Sequence, residues 1–312
     1  MELFGVAYSG VNTTGMPHTS GFTINTSTQQ LATSFTGEAY ELPYGGGVTA
    51  NDPGIAIGTI WEPGIGWSHV ALVVYEVNGD IFLEKYNISV GIGGVVTVSP
   101  PPLGSITPCI PSPSVACAIT IYPTFVQALI GRHTGIADPS TGDPALGNNS
   151  KPHIDIWHSS NAALNGAPIT SQYFAVTWQK YNQITGKNEI WGVDGTVDGL
   201  TINQEFRISD EGIEPDVVAV TATVNYASPP GSTFRAYTSY LDPLGEKLHV
   251  REWRYGTTAP FGLAPRTLET VTNPDQLAVP RISGPMRYDY ENPSNIDPLC
   301  AVVVNDNRGT NN

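Results

Sequence analysis

Charged side chains are scarce in this sequence, at 13% of 312 residues, and basic ones are scarcer still. Fourteen Lys and Arg stand against 28 Asp and Glu, a net charge of −14 that opposes binding to a nucleic-acid backbone or an anionic membrane surface. No apolar run is long enough to span a bilayer, and no signal peptide is read ahead of the first strand-like segment. An extracellular or cell-surface location is therefore an expectation from composition alone. Phosphate-binding glycine loops, H-E-x-x-H and G-x-S-x-G are all missing. Helical periodicity is nearly missing too: PTFVQALIG (Pro123–Gly131) holds the only plausible helical turn or two. Cysteine is limited to three residues. Cys109 and Cys117 bracket the loop CIPSPSVAC closely enough for a disulfide, whereas Cys300 in LCAVVV reads as a buried thiol, with an intermolecular bridge as the alternative.

What is abundant is turn chemistry. The 33 Gly and 26 Pro, set among 40% hydrophobic residues, point to many short strands joined by tight turns. In YFAVTWQKYNQITGKNEIWG (Tyr173–Gly192), Phe174, Val176 and Trp178 alternate with Ala175, Thr177 and Gln179, the period of a strand, and a second strand follows the turn at Gly186. His69–Tyr86 repeats this hairpin around Asn78-Gly79, a pair suited to a primed two-residue turn. Phe234–Trp253 repeats it around Asp242-Pro-Leu-Gly245. A fourth copy is divided between Leu299–Asn312 and Met1–Gly10, because Glu2–Val6 reads like Glu189–Val193.

Ahead of each hairpin lies a proline, one variable residue, then Ile or Val. These prolines, at 53, 152, 215 and 280, are separated by 99, 63, 65 and, round the chain ends, 85 residues. Each unit orders its parts alike: proline strand, hairpin, weaker fourth strand. The fourth-strand candidates are Val95–Ser99, Ile202–Ile208, Arg266–Val271 and Leu31–Leu42. Four strands per long repeat predict a single all-β domain over 1–312, a four-bladed β-propeller. Its units are 51–149, 150–212, 213–278, and 279–312 joined to 1–50, the last closed by N- and C-terminal strands. Two long loop insertions, 11–47 and 100–150, decorate it; Val11–Gln30 within the first reads as an irregular loop. The same terminal strands could pair between molecules, giving self-association.

The hairpin [FY]-A-V-x-W-x-x-Y…G-x-x-E-I-W-G, followed by P-D-V-V at Pro215–Val218, resembles the blades of secreted bacterial β-propellers of the TolB-like and sialidase-repeat-like kind. The resemblance implies a fold rather than an activity. The chain has no Ser-x-Asp-x-Gly-x-x-Trp box, which counts against a sialidase.

In a propeller the first strand of each blade lines the central channel. The residues after the prolines are Gly54, His153, Asp216 and Arg281, and two places on come Ala56, Asp155, Val218 and Ser283. His153, Asp155 and Asp216 are the candidate metal set, and Arg281 suits an anionic group. The simpler reading pairs these side chains with one another. Asp155 and Asp216 are also the only pair nominated for acid–base hydrolysis of a glycoside. Asp210, Glu211, Glu214 and Asp216 around Gly212 offer oxygen ligands for calcium, although the ordered calcium loop is missing and an acidic solvated turn is the plainer reading. Trp61 and Trp67 in IWEPGIGW are the tryptophans nominated for exposed contacts; the others read as core. The resulting expectation is a non-catalytic extracellular binding or assembly module, needing no cofactor, with a protein or glycan partner. The alternative is a glycoside hydrolase or lyase.

Overall fold

A computed structural model describes residues 2–10, 19–27, 37–41, 50–62, 66–90, 96–99, 119–121, 126–131, 148–156, 173–197, 200–221, 234–254, 266–270, 277–283 and 301–306. All regular structure among them is β, in five antiparallel sheets. The first joins β1 (Glu2–Gly10), β2 (Thr19–Ser27) and β3 (Gly37–Glu41). In the second, β4 (Asn51–Glu62), β5 (Gly66–Val77) and β6 (Asp80–Val90) run in order. Onto β6 are added β7 (Val96–Ser99) and β9 (Val126–Gly131), the latter also paired with β8 (Ile119–Ile121). The third runs β10 (Asn149–Ile156), β11 (Tyr173–Asn182) and β12 (Lys187–Thr196), with β13 (Thr201–Ile202) and β14 (Phe206–Ser209) both on β12. The fourth is β15 (Ile213–Thr221), β16 (Phe234–Leu241), β17 (Lys247–Arg254) and β18 (Arg266–Thr270). The fifth pairs β19 (Leu277–Ser283) with β20 (Ala301–Asp306).

The alternation seen in the sequence accounts for how these sheets stack. Phe174, Val176 and Trp178 on β11 face the second sheet and pack among Val70, Leu72, Val74, Ile81 and Leu83. Ala175 faces the other way. It joins Ile190, Phe206 and Ile208 against Val217, Ala219, Ala236, Tyr240 and Trp253 of the fourth sheet. Val218 and Tyr237 then meet Ile282 of the fifth. A strand buried on both faces needs apolar residues on both, which is why the first half of β11, Tyr173–Trp178, is apolar but for Thr177. Backbone bonds reinforce the stacking: the Asn149 amide donates to Gly79 O (3.1 Å) and the Gly212 amide to Asn188 O (2.8 Å). Each of these two proline strands thus begins at the hairpin tip of the preceding sheet. The first of those tips has Asn78 at φ 52° and Gly79 at φ 84°, both left-handed as a primed turn requires. A Cβ on Gly212 would lie 2.7 Å from Tyr240 Cδ2 and 2.8 Å from Ile190 Cγ1, both in the core. Gly212→Ala is expected to lower stability by about 2 kcal/mol through overpacking, measured by urea unfolding. Thr185→Ala in an exposed turn should leave the midpoint in place.

Two expectations need correction. The segment read as a helical turn contains strand β9, because the edge of β6 beyond β7 is open and Val126–Gly131 fills it. Gln127 there donates to Glu84 (3.1 Å) and to the Tyr75 hydroxyl (2.7 Å), and Tyr75 and Tyr86 donate to the same carboxylate. That buried network has no counterpart in a helix, and burial pushes the Glu84 carboxyl up. The region read as an irregular loop over Val11–Gln30 contains β2, whose Thr-rich alternation pairs along the whole of β1. The weak strand candidate Leu31–Leu42 is confined in the described residues to β3. No ladder joins β1 to β20 among the described residues; β1 pairs with β2, and β20 with β19. Cys109, Cys117 and Cys300 lie outside the described residues.

Candidate functional site on the proline strands

Proline carries no amide hydrogen, so a strand containing it loses a ladder bond or bulges around it. Here all four proline strands bulge at the same place. The register shifts between Asn51 and Gly54, Ser150 and His153, Ile213 and Asp216, and Ala278 and Arg281. In three of them the residue before proline is left-handed: Asp52 (φ 48°), Lys151 (φ 53°) and Glu214 (φ 53°). Such a conformation costs a non-glycine residue roughly 1–2 kcal/mol. Strands β4, β10, β15 and β19 lie side by side in that order, each at the end of its own sheet. Edge strands set together without a ladder leave backbone groups to be satisfied by side chains.

The side chains do this in steps along the row. Lys151 donates its amide to Asp52 Oδ2 (3.3 Å) and its ammonium to Glu214. His153 Nδ1 lies 3.3 Å from Asp216 Oδ1. Asp155 Oδ2 accepts the Ala219 amide (2.8 Å), and Asp216 Oδ2 accepts the Ile282 amide (2.9 Å). The Val217 amide donates to Asp216 Oδ1 (3.0 Å). Each carboxylate therefore fastens its own strand to the exposed edge of the next. Arg281 donates to its neighbour's carbonyl, Pro280 O (3.1 Å). Gly54 is the close-approach member: a Cβ there would lie 3.4 Å from Pro152 O.

Burial sets the electrostatics. It drives the Asp155 carboxyl up to about 7, against the opposing pull of the Ala219 and Ile156 amides, with Asp216 adding to the rise. Burial also raises Asp216, offset in part by the Ile282 amide and the Arg281 charge. His153 is pushed down to about 4 by burial first, then by the Arg281 and Lys151 charges, so its imidazole is neutral at pH 7.

The structure thus brings His153, Asp155, Asp216 and Arg281 into one row. Among the described residues no group of three His, Cys, Asp or Glu side chains is arranged to hold a metal ion. His153, Asp155 and Asp216 are spread along the seams instead, because the carboxylates turn to backbone amides. The acidic turn nominated for calcium is likewise dispersed. Asp210 pairs with Arg207 (3.1 Å), Glu211 with Lys187 (2.8 Å), Glu214 with Lys151 and Asp216 with His153. Trp61 and Trp67 are direct register partners at the end of the β4–β5 ladder, so both belong to strands, not to the loop between them. Reading only the residues after the prolines missed those before them. Asp52, Lys151 and Glu214 alternate in sign at one repeated position, and that signal was available. No family model matches the chain, and neither does any curated protein.

Proposed function

We propose that the chain is a non-catalytic extracellular binding or assembly module, built as a four-unit β-propeller whose axial carboxylates join units together. One observation carries this reading: Asp155 and Asp216, the two carboxylates nominated for catalysis, each accept a main-chain amide from the following unit. An acid–base pair has to present its oxygens to substrate, and these are occupied by the fold. The propeller form draws support from the side-by-side proline strands, their shared bulge, and the first-to-fourth strand order of the middle units. Ring closure would place β20 against β1, covering two edges that otherwise favour pairing between copies. The extracellular setting rests on low charge and acidity, and the partner would be a protein or a glycan.

Hydrogen exchange combined with sedimentation tests the closure. Protected amides along the outer edges of β1 and β20 in a strict monomer are expected for a closed ring, whereas protection that appears only in oligomers assigns the edges to assembly. Rapid exchange at both edges would defeat the ring. For the catalytic question, Asp216→Asn is expected to weaken folding without abolishing any glycan turnover. Turnover lost in a variant of unchanged stability would favour the hydrolase.

A further inference from the structure

Two buried hydroxyls beside the proline row have no hydrogen-bond partner among the described residues. Thr177 on β11 and Ser239 on β16 are both 0% exposed, yet Oγ1 of the first and Oγ of the second make no hydrogen bond to any described residue. Their positions repeat. Thr177 stands directly across the ladder from His153, and Ser239 directly across from Asp216. Opposite residues in an antiparallel ladder carry their side chains on the same face, so each hydroxyl shares a face with the polar residue that follows a proline. In the other two units the residue opposite is valine: Val74 across from Gly54, and Val303 across from Arg281.

Valine and threonine fill nearly the same volume, so packing alone does not call for a hydroxyl at these places. A dry, unbonded hydroxyl is costly, and two at one repeated position would compound the cost. Hydroxyls occur where the residue opposite is His or Asp. That coincidence points to a third polar group shared between the two side chains.

We propose that Thr177 and Ser239 each hold an internal water, bridging the hydroxyl to the His153 imidazole in one seam and to the Asp216 carboxylate in the next. The hydroxyl and the side chain opposite supply two of the partners that such a water needs. The inference stands apart from ring closure, since it concerns only seams between consecutive units.

Thr177→Val, which installs the residue already used in the first unit, separates the wet seam from the dry one by the sign of its effect. With a bridging water, the folded-to-unfolded ratio in urea is expected to fall about tenfold, because the buried water loses one of its hydrogen-bond partners or is expelled with the bond it made to His153. With a dry hydroxyl the ratio rises. Ser239→Ala should act in the same direction as Thr177→Val. Water–protein NOEs to the His153 ring protons provide the direct readout and are expected in the wild type but not in Thr177→Val. An unchanged or raised ratio, or a wild-type seam without a long-lived water, overturns the proposal.

Discussion

Asp155→Asn and His153→Gln are expected to change the pH dependence of stability in opposite directions. Asp155 rises from 3.8 to about 7 on folding, so its contribution is fully present below pH 3.8 and is lost as pH rises to about 7. His153 falls from 6.5 to about 4, so its contribution is fully present above pH 6.5 and is lost as pH falls to about 4. At about 1.4 kcal/mol per pH unit these amount to about 4 and about 3 kcal/mol. In the wild type they oppose one another across the same window. Relative to wild type, Asp155→Asn should therefore gain stability as pH is raised from 4 to 7. His153→Gln should lose it over nearly the same range. The groups around the pair are Asp216 on β15, Arg281 on β19 and Lys151 on β10; all remain in both variants, so the differences isolate the two substituted residues. Urea unfolding at a series of pH values measures this. Difference curves that run parallel would refute the buried placement of the pair.

Asn149→Ala should destabilise the protein by about 3 kcal/mol, since one buried side chain holds three elements together. Its Nδ2 donates to Gly79 O at the hairpin tip of the second sheet (2.7 Å), and its Oδ1 accepts from Trp178 Nε1 (2.9 Å). Asn149 is 1% exposed and Trp178 is 0% exposed, so water cannot replace either bond. Alanine would leave the indole N–H unpaired in the core while retaining the backbone bond from residue 149 to Gly79. Asn149→Asp is expected to be worse, because it sets a carboxylate against the Gly79 carbonyl. Chemical unfolding read by tryptophan fluorescence would show both effects; a loss under 1 kcal/mol for alanine would remove Asn149 from the joint between sheets.

The hairpins were legible because their signals are local. Period-two alternation in Tyr173–Gly192 and the Asn78-Gly79 dipeptide each specify geometry within a few residues. The repeated prolines were legible as well, and they mark four strands that bulge alike. Strands β2 and β9 were not legible. The segment VQALIG becomes a strand because an open edge of β6, about 40 residues back, lies beside it, whereas the Thr/Ser/Asn-rich stretch pairs with the neighbouring β1 but carries no clean apolar alternation to announce it. Of the candidate site, the sequence named His153, Asp155, Asp216 and Arg281, but not what the carboxylates touch. Asp155 meets Ala219 across 64 residues and Asp216 meets Ile282 across 66.

By itself, the sequence determined the all-β character, the hairpins and the polar identity of the proline row, since these depend on side-chain period, turn chemistry and the missing amide of proline. Only the tertiary structure decided that the row's carboxylates serve backbone amides of the adjoining unit, that its histidine is neutral, and that three acids of the Gly212 turn pair with cations while Asp216 faces that imidazole. Burial and the free edges of neighbouring strands decide those matters, and both exist only once the sheets have stacked.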